Sequence, residues 1–227
     1  RLDYSSDTSA PIITGKYFNN SYGDAAGNQS YGWIAGKAAG GAGSRVERLD
    51  YSNDSADTVT KGPLTSNRYD GGAASNSSYG YFGGGKNGSP GYTTVDRIDF
   101  SNDTPTSVTK GPLSSANSQL AATGDANYGY FGGGGPAFSA KSTVDRIDYS
   151  SDTPTAAVKG PLSLGRIAVA ATSPRINAFP SSPTSATRSA IKTNGTPYGY
   201  YSGGNYPMIS TVDRVDYSND TATASVK

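Results

Sequence analysis

The chain has no cysteine and no histidine. Without cysteine there is no disulfide framework and no thiolate metal site. Without either residue there is no Ser-His-Asp or Cys-His arrangement for nucleophilic catalysis, and no imidazole ligand for a metal. Glutamate is nearly missing too, since Glu47 is its single occurrence, and there is one tryptophan, Trp33. Hydrophobic residues make up only 34% of the 227 residues. No apolar run approaches the roughly 20 residues that span a bilayer as a helix, so membrane insertion is not expected. Lysine and arginine are spread evenly and the net charge is +1. With no basic run to neutralise a phosphate backbone, nucleic acid is not an expected partner.

What the chain has in abundance is glycine, with 30 residues, and tyrosine, with 17. Glycine, serine and asparagine in such numbers can signal disorder, but disordered chains are poor in aromatics. Two phrases recur in alternation. The first reads RLDYSSDT from Arg1, RLDYSNDSADT from Arg48, RIDFSNDT from Arg97, RIDYSSDT from Arg146 and RVDYSNDT from Arg214. The second reads YGWIAG from Tyr31, YGYFGGG from Tyr79 and Tyr128, and YGYYSGG from Tyr198. A period of about 50 residues built from short apolar strands marks a radial or stacked repeat array. The chain begins without methionine and stops at Val226-Lys227, where earlier copies run on into Gly-Pro-Leu. It is expected to be a piece of a longer polypeptide.

One repeat, from Tyr79 to Asn127, shows the strands. Tyr79 to Phe82 is an aromatic strand ended by Gly83, Gly84 and Gly85, where glycine allows positive φ and close backbone approach. Lys86 to Tyr92 is a variable loop. Thr93 to Phe100 is a second strand, with Val95 on one face and Ile98 and Phe100 on the other. Ser101 to Pro105 is a turn of the kind Asn and Asp side chains stabilise. Val108 centres a third strand, Gly111-Pro112 ends it, and Leu113 is expected to pack inward. Gln119 to Thr123 forms a fourth, weaker strand before the turn at Gly124 to Asn127. Four short strands in sequential hairpins match a propeller blade.

In its glycine doublets (Gly83-Gly84, Gly132-Gly133), its hydrophobic-Asp pairs (Ile98-Asp99, Ile147-Asp148) and its Gly-Pro links (Gly111-Pro112, Gly160-Pro161) the chain resembles kelch repeats. The likeness covers almost the whole chain. It departs at the third strand, where kelch repeats carry tryptophan and this chain has Val59, Val108, Val158 and Val226. The resemblance implies an all-β, kelch-like β-propeller of four-stranded blades, with about four and a half blades in this chain. The blades are expected as a partial copy over 1–30, blades at 31–78, 79–127 and 128–197, and a partial copy at 198–227. A closed five-blade ring would need a missing strand from elsewhere; an open array stacked end to end is the other arrangement. The wording of the repeats is also similar to tandem repeats in large structural proteins of marine bacteriophages that infect cyanobacteria.

Candidate sites follow from breaks and regularities in the repeat. Asp96/Arg97, Asp145/Arg146 and Asp213/Arg214 recur; they form either a ring of carboxylates around a channel or pairs holding neighbouring blades together, and recurrence in every copy favours the pairs. The turn acids Asp7, Asp54, Asp103, Asp152 and Asp220 lack the alternating spacing of calcium loops and are read as Asx turns. No metal and no cofactor is expected. The segment 173–197 lengthens one repeat and carries Arg175, Phe179 and Arg188. It is read as a blade-to-blade loop, a contact element or a surface decoration. The variable loops carry Tyr92, Phe138 and Tyr206, aromatics suited to stacking on sugars or anchoring a protein interface. No catalytic residue is assigned, and the chain is not expected to be an enzyme.

The phage resemblance implies an extracellular or virion location and a tail, fibre or capsid-surface role. The partners would be other virion or surface proteins, copies of the chain itself, and a host glycan or receptor. A secreted or cell-surface bacterial carbohydrate-binding propeller is the competing reading, and a self-assembling extracellular filament is a third.

Overall fold

The computed structural model describes residues 23–36, 43–136, 139–173, 198–204, 208 and 210–227. Apart from one 3-10 turn at Tyr51–Asn53, the regular structure of these residues is all β. Four antiparallel sheets each hold four strands in chain order. The first comprises β1 (Asp24–Gly27), β2 (Tyr31–Ala35), β3 (Val46–Asp50) and β4 (Val59–Lys61). The second comprises β5 (Tyr69–Ser75), β6 (Tyr79–Lys86), β7 (Val95–Asp99) and β8 (Val108–Lys110). The third comprises β9 (Leu120–Gly124), β10 (Tyr128–Gly133), β11 (Val144–Asp148) and β12 (Ala157–Lys159). The fourth comprises β13 (Ala170–Thr172), β14 (Tyr198–Ser202), β15 (Val212–Asp216) and β16 (Ser225–Val226).

Short polar side chains set the turns. Between first and second strands, Asn28, Asn76 and Asp125 each accept two backbone N–H bonds at 2.8–3.0 Å. After each third strand, Asp50, Asp99, Asp148 and Asp216 accept the amide two residues on, from Ser52, Ser101, Ser150 and Ser218. The side-chain bond replaces a backbone partner and closes the chain into an Asx turn. The Asx-turn role expected of Asp103, Asp152 and Asp220 thus belongs to the aspartates that end the strands.

The grouping of strands differs in phase from the 31–78, 79–127 and 128–197 units. The Ala-rich strands β5, β9 and β13 pair with the aromatic strands that follow them, not with the units before. The turns centred on Asn76 and Asp125 make each such pair a tight hairpin, whereas a longer Gly-Pro-Leu link separates β5 and β9 from the preceding strand. For the same reason the long insertion joins β13 to β14, neighbours within one sheet, instead of linking two sheets. Its residues 174–197 lie outside the described residues, as do 1–22 with the first copy of the Arg-Leu-Asp-Tyr phrase.

The first strands adjoin in sequence, β1 beside β5, β5 beside β9 and β9 beside β13. Sheets fanning from a common line of first strands are consistent with a propeller-like arrangement. The core lies between successive sheets. Trp33, Val46 and Leu64 meet Phe82, Ile98 and Phe100; Tyr81, Val95 and Leu113 meet Phe131, Ile147 and Tyr149; Tyr130, Val144 and Leu162 meet Tyr201, Val215 and Tyr217. In each layer one ring stacks on another, Trp33 on Phe100, Tyr81 on Tyr149 and Tyr130 on Tyr217, at 4.0–4.7 Å. The aromatic strands β6 and β10 therefore bury both faces, which explains their continuous apolar wording. The outer strands carry Val59, Val108, Val158 and Val226 exposed, so the valines standing at the kelch tryptophan position contribute nothing to these cores.

Candidate functional site

The recurring charged residues converge between sheets. Asp103, in the turn of the second sheet, accepts Trp33 Nε1 at 2.9 Å and Arg48 Nη1 at 3.0 Å on one oxygen, and Lys61 Nζ at 3.0 Å on the other. Asp152, in the third sheet, receives the Tyr81 hydroxyl at 3.0 Å, Arg97 at 2.7 Å and Lys110 at 3.1 Å. Asp220, in the fourth, receives Tyr130 at 3.0 Å, Arg146 at 2.7 Å and Lys159 at 3.2 Å. Each lock draws an aromatic donor from a second strand, an arginine from a third and a lysine from a fourth, all on one sheet, and an acid from the next sheet. The cross-strand pairs Trp33↔Arg48, Tyr81↔Arg97 and Tyr130↔Arg146 place the first two donors side by side. Behind each arginine a tyrosine ring stacks: Arg48 over Tyr31, Arg97 over Tyr79 and Arg146 over Tyr128, at 4.2–4.4 Å.

The electrostatics agree with a structural lock. Burial works against ionisation of Asp103, but Trp33, Lys61 and Arg48 outweigh it and hold the carboxyl below its usual range. Asp152 is held down in the same way by Lys110, Tyr81 and Arg97. Burial, then the adjoining carboxylates, push the Tyr81 and Tyr130 hydroxyls well up, so both remain donors. Trp33 fills the role of these tyrosines, which is why the single tryptophan lies on an aromatic second strand.

A second set of acids sits deeper. Asp96 pairs with Arg68, and Asp213 with Arg166 at 2.9 Å; all four side chains are buried. Glu47 pairs with Arg45. The adjacent residues Asp96 and Arg97 thus serve different partners, one in the link that leads into its own sheet and one across to the next sheet. Neither set rings a channel. The cavity where the first strands converge, about 510 Å³, is lined by residues such as Ala26, Ala74, Thr123 and Thr172, with no carboxylate in its lining. Among the described residues no group of three acidic, histidine or cysteine side chains could hold a metal ion.

The fourth sheet repeats the donor half of a lock. Tyr200 pairs across from Arg214, Arg214 stacks on Tyr198 at 4.1 Å, and Lys227 follows the fourth strand. The Arg214 Nε is buried with no acceptor. Among the described residues no carboxylate meets this arginine.

Of the candidate binding residues, only Tyr92 falls within the described residues. It is half-buried and fixed by its backbone, its N–H donating to Gly85 O at 2.8 Å and its carbonyl accepting Asn117 N–H at 3.1 Å. Phe138, Arg175, Phe179, Arg188 and Tyr206 lie outside the described residues. The lock acids are legible as recurring residues, but their arginine partners are 55 to 74 residues away, beyond what a local pattern reveals. No family model and no curated protein matches this chain. No helix among the described residues is long and apolar enough to cross a membrane.

Asp24 is tuned in the opposite direction. Asp24, opening β1, lies against the backbone of Gly71. Burial pushes its carboxyl up to about 7; Arg68 opposes the rise, Asp70 adds to it and a Gly71 hydrogen bond opposes it. The folded state then holds this proton more tightly than the unfolded chain does. The associated stability is complete below the ordinary value of 3.8 and is lost as pH rises towards about 7. The lowered Asp103 and Asp152 act the other way, losing their contribution as pH falls below that value. A melting-temperature profile should therefore peak in mild acid, and Asp24→Asn should flatten its fall between about pH 5 and about pH 7. An equal fall in the variant would assign the slope to other groups.

Proposed function

We propose that the chain is a non-enzymatic scaffold, a kelch-like propeller segment on a virion surface (tail, fibre or capsid), where it makes protein–protein contacts and presents loops to a host receptor or glycan. The observation that carries the scaffold reading is the lock repeated between all three pairs of successive sheets. At the three joints the recurring arginines, lysines and turn aspartates are spent on joining sheets, and the cavity between the first strands has no carboxylate in its lining. The sequential adjacency of β1, β5, β9 and β13 supports the propeller. The virion location rests on the wording of the repeats. Immunogold labelling with an antibody against segment 173–197, on the native source, tests it: label on viral tails or capsids is expected, and label on cell surfaces would overturn it.

A second reading, an array extended end to end, is favoured by one observation, the donor set of Tyr200, Arg214 and Lys227 on the fourth sheet. Such an array would show concentration-dependent association by sedimentation, weakened by salt.

A further inference from the structure

The second residue of each third strand is a buried acid: Glu47, Asp96, Asp145 and Asp213. Three of them have an arginine, namely Arg45, Arg68 and Arg166. Asp145 has none. At the place in the Gly-Pro-Leu link that Arg68 and Arg166 occupy, the third sheet has Asn117. Asn117 is too short to reach the acid; its amide donates to Gly133 O at 2.7 Å, the counterpart of the Gly84 carbonyl that Arg68 takes in the second sheet. Asp145 is 3% exposed; one oxygen accepts the Ser114 N–H at 3.1 Å, and the other is fully buried and accepts no hydrogen bond. Lys141, whose charge acts on Asp145, spends its ammonium on Ser115 Oγ at 2.9 Å and Ala116 O at 2.8 Å.

The sister sheets show what surrounds this position. Arg68 gives one guanidinium nitrogen to Asp96 and the other to the carbonyls of Gly84 and Thr94 at 3.1 Å. Arg166 does the same with Asp213 and the Thr211 carbonyl at 3.2 Å. By repeat equivalence, the Thr143 carbonyl faces the same place in the third sheet. The place therefore combines a buried carboxylate oxygen and a carbonyl, with the Ser114 hydroxyl beside them, all hard oxygen donors. A buried charge left without a partner is costly, and a positive charge there recovers that cost.

We propose that the third sheet binds an alkali-metal cation, sodium or potassium, at Asp145, the Thr143 carbonyl and the Ser114 hydroxyl, in the position that an arginine guanidinium fills in its sister sheets. The charge selects a monovalent ion: the arginine it stands in for carries one positive charge, and one carboxylate is too few for the usual acidic calcium site. Burial also pushes the Asp145 carboxyl up, opposed by Ser114 and Lys141, a cost that a bound cation removes.

The test is thermal unfolding of the purified chain in sodium, potassium or choline chloride at constant ionic strength. A saturable rise of about 2–8 °C is expected with sodium or potassium over choline. Asn117→Arg should raise the melting temperature in choline and abolish the cation response, since the side chain supplies the charge itself. Asp145→Asn should abolish the response without that gain, and it keeps the proposal testable should Asn117→Arg fold poorly. Equal melting in all three salts, a response persisting in Asp145→Asn, or a response to calcium alone would each overturn the proposal.

Discussion

Gly111→Ala should lower stability by about 3 kcal/mol or more, the largest single effect expected in the molecule. Gly111 opens the link after β8, and its N–H donates to the Asp152 carbonyl of the next sheet at 2.8 Å. A Cβ placed there would stand 1.8 Å from the Pro154 oxygen. That neighbour is backbone in a turn pinned by the lock at Asp152, so it cannot swing away as a flexible side chain would. The same approach recurs at Gly62 against Pro105 and at Gly160 against Ala222, each at 1.8 Å. The glycine of every Gly-Pro-Leu link is therefore required by the following sheet, beyond its part in ending a strand. Chemical denaturation with an unchanged m-value measures the loss, and Val108→Ala on the exposed outer strand should stay within about 0.5 kcal/mol of the parent. A Gly111→Ala variant as stable as the parent would mean that the sheets can slide apart at little cost.

Asp152→Ala should cost about 2–3 kcal/mol, seen as a fall of about 4–12 °C in melting temperature. The substitution leaves three donors, Tyr81, Arg97 and Lys110, facing a position without an acceptor. Arg97 and Lys110 retain some solvent, with side-chain exposures of 23% and 14%, which keeps the loss at the low end for a broken buried pair. Asp152→Asn should cost less, because its amide oxygen still accepts from one donor. Both variants should also lose the acid-side weakening that Asp152 contributes below pH 3.8, since its carboxyl is held down in the fold. If Asp152→Ala melts within a degree of the parent, the lock is an ornament on sheets held by their aromatic layers alone.

The two variants probe parts of one joint with different legibility. The joint's aromatic half was readable: Val95 opposite Ile98 and Phe100 already told that a third strand buries two faces, and Leu113 lies in the core. The pairing of Arg97 was expected to be with a neighbouring repeat. Its partner, however, is the turn acid that the sequence reading assigned to an Asx turn, while Asp99 makes that turn. Adjacent aspartates in one phrase look alike in composition, and only their depth and direction separate them. The exchange of Arg68 and Arg166 for Asn117 has meaning only because Asp96 and Asp213 face those arginines in the fold.

By itself the sequence determined an all-β array of short strands, because alternation, glycine and Asx chemistry act over a few residues and repeat with the period. The tertiary structure alone decided which strands share a sheet, which acid meets which arginine, and why each link needs its glycine. Those outcomes depend on contacts between residues a full repeat or more apart, such as Arg97 with Asp152 and Gly111 with Pro154. A periodic sequence offers every such residue several equivalent partners, and only the packing of one sheet on the next selects among them.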